Sequence, residues 1–192
     1  MTEITVTTEL PAATQQFILC WGDMGAQWGV NRSIAQIHAL LYLSDRPLTA
    51  EEISENLGLA RSNVSTGLHE LQAYDIIRRI HVEGDRRDHF VAETDLWEML
   101  MRIIAERKRR EIDATVEALN GLTEALRYDK TAPEHIRQRI GALHDFLAEM
   151  NGWYAEVRAL PRSTLLTLMR LGGRIARFIP TSRAKKEAAA KS

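Results

Sequence analysis

One face of a predicted helix, residues 61–74, carries short polar side chains. Val64, Leu68 and Leu71 recur at positions i, i+4 and i+7, which predicts that they anchor the helix on an apolar core. Short polar side chains let a helix lie deep in the major groove of DNA and reach base edges, whereas a solvated face usually carries Lys and Glu. The alternative is a polar surface helix in a bundle. The candidate DNA-binding residues on this face are Arg61, Ser62, Asn63, Ser65, Thr66 and His69.

Residues 49–74 as a whole fit a helix-turn-helix. Thr49-Ala-Glu-Glu52 is a capping box, in which the Thr hydroxyl and the Glu carboxylate accept hydrogen bonds from backbone amides at a helix start. Gly58 ends the short helix in a left-handed conformation. Ser54 is the small residue expected where the two helices cross. The apolar contacts between them are expected from Ile53, Leu57, Leu59, Val64 and Leu68.

A predicted β-hairpin follows this motif. Residues 79–82 and 89–92 have strand-like patterns, and residues 83–88 are expected to form the loop between them. A helix-turn-helix followed by a hairpin with a basic tip is a winged helix, and arginines at its tip can enter the minor groove. We therefore add Arg86 and Arg87 to the candidate DNA-binding residues. Asp85 and Asp88 are expected to orient these arginines, and the alternative is a solvated turn with weak local ion pairs.

Three stretches resemble the MarR superfamily of winged-helix transcriptional regulators. They are Leu57-Gly-Leu-Ala-Arg-Ser-Asn-Val-Ser-Thr-Gly-Leu-His-Glu-Leu71, Ile76-Ile-Arg-Arg79 and Gly84-Asp-Arg-Arg87. Trp28-Gly-Val-Asn-Arg32 and the long C-terminal helices are similar to its GbsR-like branch. The resemblance implies a homodimeric repressor that binds double-stranded DNA at a pseudo-palindromic operator and is loosened by a small-molecule effector. One departure is Ala60, where the family often has a Ser or Thr cap; Ser62 or Asn63 is expected to cap the helix instead.

The whole chain predicts a mostly α fold, with a winged helix-turn-helix DNA-binding domain and N- and C-terminal helices that form a dimerisation region. The expected segments are a flexible tail (1–12), an N-terminal helix joining the dimerisation region (13–30), the winged helix-turn-helix domain (31–93), the helical dimerisation region (94–180) and a flexible basic tail (181–192). A heptad seam predicts the dimer contact. It consists of Ile136, Ile140, Leu143, Leu147, Met150, Tyr154 and Val157.

Composition narrows the function classes. The 192 residues include 45% hydrophobic residues and one cysteine, and the formal net charge is −1. This is typical of a folded protein in a reducing compartment. No apolar run approaches the roughly 18 residues of a membrane span, so we expect a cytoplasmic, nucleoid-associated protein with no membrane contact. The sequence has no nucleophile elbow, phosphate loop or metal-ligand spacing, and we expect no enzyme activity, metal or cofactor.

Two further features have a structural and a functional interpretation. Cys20 has no cationic residue within five positions, which favours a small buried hydrophobe over a peroxide sensor. The aromatic residues could instead form a cage for a quaternary ammonium effector, although they also suit core or dimer packing. The candidate ligand-binding residues are Trp21, Trp28, Trp97, Trp153 and Tyr154.

A second function class remains open. The five arginines of residues 61–90 are matched by five acidic residues, which also fits a winged-helix module that contacts another protein without reading DNA sequence. Steep salt dependence of DNA binding separates the two, because phosphate contacts release counterions.

Overall fold

The structure, a computed structural model, describes residues 10–129 and 131–175. It is mostly helical with one small antiparallel sheet, as predicted. The strands are β1 (Leu48–Thr49), β2 (Ile77–Val82) and β3 (Asp85–Ala92). The helices are α1 (Ala12–Gln27), α2 (Arg32–Leu43), α3 (Ala50–Leu57), α4 (Arg61–Ala73), α5 (Leu96–Arg107), α6 (Ala114–Tyr128), α7 (Glu134–Ala159) and α8 (Arg162–Ile175), with a π-helical segment at Lys108–Asp113.

The chain divides into two compact units, the first ending at Glu111 and the second beginning at Ile112. The division falls inside the π-helical segment. The sequence predicts a boundary at 93/94, before α5. Helix α5 instead belongs to the first unit, because Met99 is buried in its core.

The core of the first unit lies where α1, α2, α3 and α4 meet. Ile18, Ile37, Ile53 and Val64, one from each helix, have no exposed surface. Gly67 explains how closely α4 approaches α2, since a Cβ at this position would lie 2.6 Å from Cδ1 of Ile37. Any larger residue would force the two helices apart or displace Ile37.

The sheet has the strand order β1-β3-β2. Thr49 in β1 pairs with His89 in β3, and the sequence did not predict β1 because two residues are too short to show an alternating pattern. The hairpin strands are longer than predicted, and Val82 pairs directly with Asp85. The predicted loop at 83–88 was therefore wrong, since only residues 83 and 84 form the turn and Gly84 supplies its positive φ of 83°.

The second unit is built differently. Helices α6 and α7 form an antiparallel pair in which the His144 ring lies 2.7 Å from Oδ1 of Asn120, and Arg137 donates to the backbone oxygen of Leu126. No side chain is buried in the part of this unit that the structure describes, 112–129 and 131–171. Some side chains of the predicted heptad seam are exposed and the others are half-buried. Its exposed members are Ile136, Leu143 and Met150, and its half-buried members are Ile140, Leu147, Tyr154 and Val157.

The predicted tails lie largely outside the described residues. The exception is the end of the N-terminal segment, where Leu10 packs against the core of the first unit and α1 begins at Ala12. The predicted tail at 1–12 is therefore too long at this end. Within the described residues, no helix is both long enough and apolar enough to cross a bilayer.

Candidate nucleic-acid interface

Helix α4 has the two faces that the sequence predicted. Val64, Leu68 and Leu71 are at most 4% exposed and anchor the helix on the core. The structure leaves all six candidate residues of the helix exposed, namely Arg61, Ser62, Asn63, Ser65, Thr66 and His69. The helix thus offers a row of short polar side chains to a partner.

The start of α4 differs from the prediction. Ala60 is the N-cap residue and the helix has no side-chain cap, so the expected capping by Ser62 or Asn63 was wrong. Both residues follow the N-cap position, from which a side chain accepts hydrogen bonds of the first-turn amides. The amides of that turn therefore lack a side-chain acceptor, and a helix start of this kind suits an anion such as a phosphate oxygen.

The turn before α4 is set by local chemistry. The Thr49–Glu52 capping box is present, with the Thr49 amide donating to Oε2 of Glu52 at 2.7 Å. Gly58 ends α3 with φ of 61°. Ser54 is more than a small residue at the crossing, because its hydroxyl donates to the backbone oxygen of Leu59 at 2.5 Å. These bonds fix the direction in which α4 leaves α3.

Arg86 and Arg87 lie on strand β3 and not on a loop, which corrects the predicted hairpin tip. The β2–β3 register shifts between Ile80 and Val82, opposite this stretch, so the two arginines lie at an irregularity of the hairpin. Asp85 accepts from both the backbone amide and the guanidinium of Arg87, the latter at 2.5 Å. These bonds hold the pKa of Asp85 well below its usual range. Asp88 does not bind either arginine and instead accepts from Arg79 at 3.1 Å.

A groove of about 490 Å³ lies between α4 and the hairpin. It brings together four of the predicted residues: Arg61, Ser65, His69 and Arg87. The other four do not line it and lie elsewhere on the exposed surface: Ser62, Asn63, Thr66 and Arg86.

Five polar residues of the groove lie outside the predicted DNA-binding set, namely Thr49, Glu51, Gln72, Arg79 and Asp88. Gln72 follows Ser65 and His69 at helical spacing, so the same periodicity could have identified it. Glu51 carried no such signal, because its proximity to the hairpin depends on the pairing of β1 with β3.

The C-terminal end of α4 is braced by an arginine forty residues away. Arg110 pairs with Glu70 at 2.5 Å, and its guanidinium lies 4.9 Å from the centre of the Tyr74 ring. Arg110 and Arg109 both bind Glu106, each at 2.6 Å. The hydrogen bond from Arg109 is the main cause that lowers the pKa of Glu106 to about 2. Both ends of α4 are therefore bonded to neighbouring elements.

One segment of the chain matches a family model. Residues 28–88, which span α2, the helix-turn-helix and most of the hairpin, match the model of the MarR family. Through this segment the chain is similar to the MarR family. The resemblance expected from the sequence is confirmed.

Comparisons with individual MarR-type proteins agree with the segment match. The chain is 25% identical over 156 residues to the HTH-type transcriptional repressor GbsR of Bacillus subtilis (strain 168), covering 80% of this chain and 83% of that protein. It is 21% identical over 131 residues to the HTH-type transcriptional repressor OpcR of the same organism, covering 66% and 70%. A crystal structure of a transcriptional regulator has the same fold, with a TM-score of 0.62 and 21% identity over 75% of this chain and 94% of that chain. These relatives are regulators and not enzymes.

The aromatic candidates for an effector site differ in their surroundings. Trp21 stacks on Phe17 at 5.4 Å and on His38 at 5.9 Å. Trp28 is 61% exposed and Trp97 is half-buried. Trp153 and Tyr154 belong to the second unit. The ring contacts of Trp21 are with Phe17 and His38, and the cage stays a prediction.

Cys20 on α1 differs from the prediction, and His38 on α2 is a buried titratable group. Cys20 is exposed, so its predicted burial was wrong. Helix α1 buries Ile18, Gly22 and Gly25, and a residue two positions from Ile18 faces the other way. His38 is 3% exposed, and burial lowers its pKa from 6.5 to about 4. The imidazole is therefore neutral at physiological pH and serves as a packing ring.

Proposed function

We propose that this protein is a sequence-specific DNA-binding transcriptional regulator that acts as a homodimer. One observation carries the proposal: the exposed row of short polar side chains on α4 stands beside an arginine-bearing hairpin. In this arrangement α4 lies in the major groove, where Thr66 and His69 contact base edges. The hairpin lies along the backbone or in the adjacent minor groove, where Arg86 and Arg87 contact phosphates or sugars.

The homodimer is supported by the second unit. Phe146, Met150 and Trp153 line an exposed groove of about 410 Å³ on α7, and the three side chains are 45–58% exposed. Exposed apolar surface of this kind marks an interaction site. A second copy placed there would cover it and set the spacing of two recognition helices on a pseudo-palindromic operator.

Repression is the proposed direction of regulation, because the names of GbsR and OpcR describe them as repressors. We further propose that a small effector releases the DNA, and the candidate residues remain Trp21, Trp28, Trp97, Trp153 and Tyr154. Such a regulator would act at the nucleoid in the cytoplasm.

The second candidate function is a winged-helix module that contacts another protein. It is favoured by the ion pairs on the interface, since Arg61, Arg79 and Arg87 each have an acidic partner. The positive charges of these arginines are therefore partly neutralised in the free protein. A module of this kind would bind DNA weakly and with little dependence on salt.

The deciding experiment is a DNA titration of full-length protein at several salt concentrations. The probes are a duplex enriched from the source genome by binding and a scrambled duplex of equal length. Thr66→Ala or His69→Ala should change sequence preference by about 1–3 kcal/mol for each lost base contact. Arg86→Ala with Arg87→Ala should weaken binding to both duplexes and reduce the salt slope. Unchanged affinities and slope in the arginine variant would favour the protein-contact function.

A further inference from the structure

A single carboxylate stands between two arginines of the proposed DNA interface. One oxygen of Glu51 binds the guanidinium of Arg61, at the start of α4. The other oxygen lies 3.9 Å from Nη1 of Arg87, on β3. Glu51 thus faces one arginine from the recognition helix and one from the hairpin.

The position of Glu51 follows from strand register. Thr49 pairs with His89 in the antiparallel β1–β3 ladder. Glu51 follows Thr49 by two residues and Arg87 precedes His89 by two, so this pair brings the start of α3 close to that part of β3. The chain turns into α3 at Ala50, and the Thr49 capping box fixes this turn. Arg61, the first residue of α4, approaches Glu51 because the Gly58 turn directs α4 past the start of α3.

The three side chains are open to solvent. Arg61 is 76% exposed, Arg87 is 57% exposed and Glu51 is 42% exposed. Ion pairs with this exposure contribute little to stability, so a competing anion can replace the carboxylate. A phosphate oxygen is the anion that DNA offers to arginines.

We infer that Glu51 is a positioning residue for the proposed DNA binding, whose carboxylate binds Arg61 and Arg87 in the free protein and is displaced from them by a DNA phosphate. The inference rests on the proposed function. Its consequence is a lower affinity for DNA of every sequence, because phosphate contacts carry no sequence information. The intramolecular contact would thereby reduce binding to the large excess of non-operator DNA.

The sign of the expected effect separates this role from a structural one. Loss of a residue that only braces the fold weakens binding. Glu51→Gln instead should strengthen binding about threefold to tenfold on both duplexes, since Arg61 no longer exchanges one anion for another, while Arg87 keeps its bond to Asp85. The variant also adds one net positive charge at the interface, so the salt slope should steepen by about one.

The experiment compares full-length wild type, Glu51→Gln and Glu98→Gln on the enriched and scrambled duplexes across a salt series. Glu98 is the matched control, because it is an exposed acid of the same unit on α5 for which the described residues show no ion pair. Glu98→Gln should change either affinity by less than about twofold. A double-mutant cycle adds Arg61→Ala in both the wild-type and Glu51→Gln backgrounds. The arginine substitution should cost more affinity in the Glu51→Gln background, where Arg61 is available to DNA from the start.

Several outcomes would overturn the inference. Weaker binding of Glu51→Gln to both duplexes would identify Glu51 as a structural brace. A loss confined to the enriched duplex would identify a base contact, such as acceptance from a cytosine amino group. Equal gains for Glu51→Gln and Glu98→Gln would show a general charge effect. If wild type itself binds neither duplex at low salt, the proposed function fails and the inference falls with it.

Discussion

The two units differ in where their apolar side chains lie. In the first unit, Ile18, Ile37 and Ile53 have no exposed surface and the helices pack around them. In the second, Phe146 and Trp153 are more than half exposed, and no side chain of its described residues is buried. Ordering a chain costs conformational entropy that burial of apolar surface must offset. The first unit meets this requirement within its own chain, whereas the second is expected to meet it through a second copy.

The largest expected effect is on assembly. Phe146→Lys with Trp153→Lys places two charges on the exposed apolar face of α7. Truncating a central apolar anchor of an interface typically costs about 2 kcal/mol, so the loss of two anchors should weaken the proposed dimer by about 4 kcal/mol, or roughly 700-fold. Sedimentation velocity over a concentration series measures this directly. Gln138→Lys with Ala148→Lys adds the same charge at exposed positions of α7 outside the apolar groove and should leave the dimer intact. A folded Phe146/Trp153 variant that sediments as an unchanged dimer would contradict the placement.

An intermediate effect should distinguish how each unit is stabilised. Ile53→Ala removes a fully buried side chain of the first unit and should lower the free energy of unfolding by about 2–5 kcal/mol at every protein concentration. Ile136→Ala removes a side chain of the second unit that is 39% exposed. Its effect should depend on protein concentration, because stability gained from assembly does. Urea denaturation at two concentrations tests both variants. A concentration-independent loss for Ile136→Ala would remove the distinction between the units.

The smallest effect concerns His38 in the first unit. Its pKa is lowered from 6.5 to about 4 in the folded protein, so the unfolded chain binds a proton in that window and the folded chain does not. Stability should therefore fall as the pH drops from 6.5 to 4, by up to about 3 kcal/mol. His38→Phe keeps a ring between Trp21 and Tyr42 and should abolish this part of the pH dependence. Chemical denaturation at several pH values measures it, and a variant that retained the wild-type slope would show that burial of His38 is not the cause.

The sequence determined the local features of the first unit. The Thr49–Glu52 capping box, the Gly58 turn and the buried Val64, Leu68 and Leu71 face all follow from residue type and helical spacing. Such signals are readable because each depends on residues within about two turns of helix. The exposed polar face of α4 and the MarR resemblance were accessible for the same reason.

The tertiary structure decided what depends on distant residues. Pairing of β2 with β3 lengthened the hairpin and moved Arg86 and Arg87 from a loop to a strand. Pairing of β1 with β3 brought Glu51 near Arg87. The ion pair between Arg110 and Glu70 joins residues forty positions apart, and no local sequence pattern predicts it. Cys20 lies on the exposed side because packing of α1 against α2 selects Ile18, Gly22 and Gly25 for the buried side. Strand register and helix rotation are set by the pairing partner and not by the segment alone, and these two quantities place the groove residues.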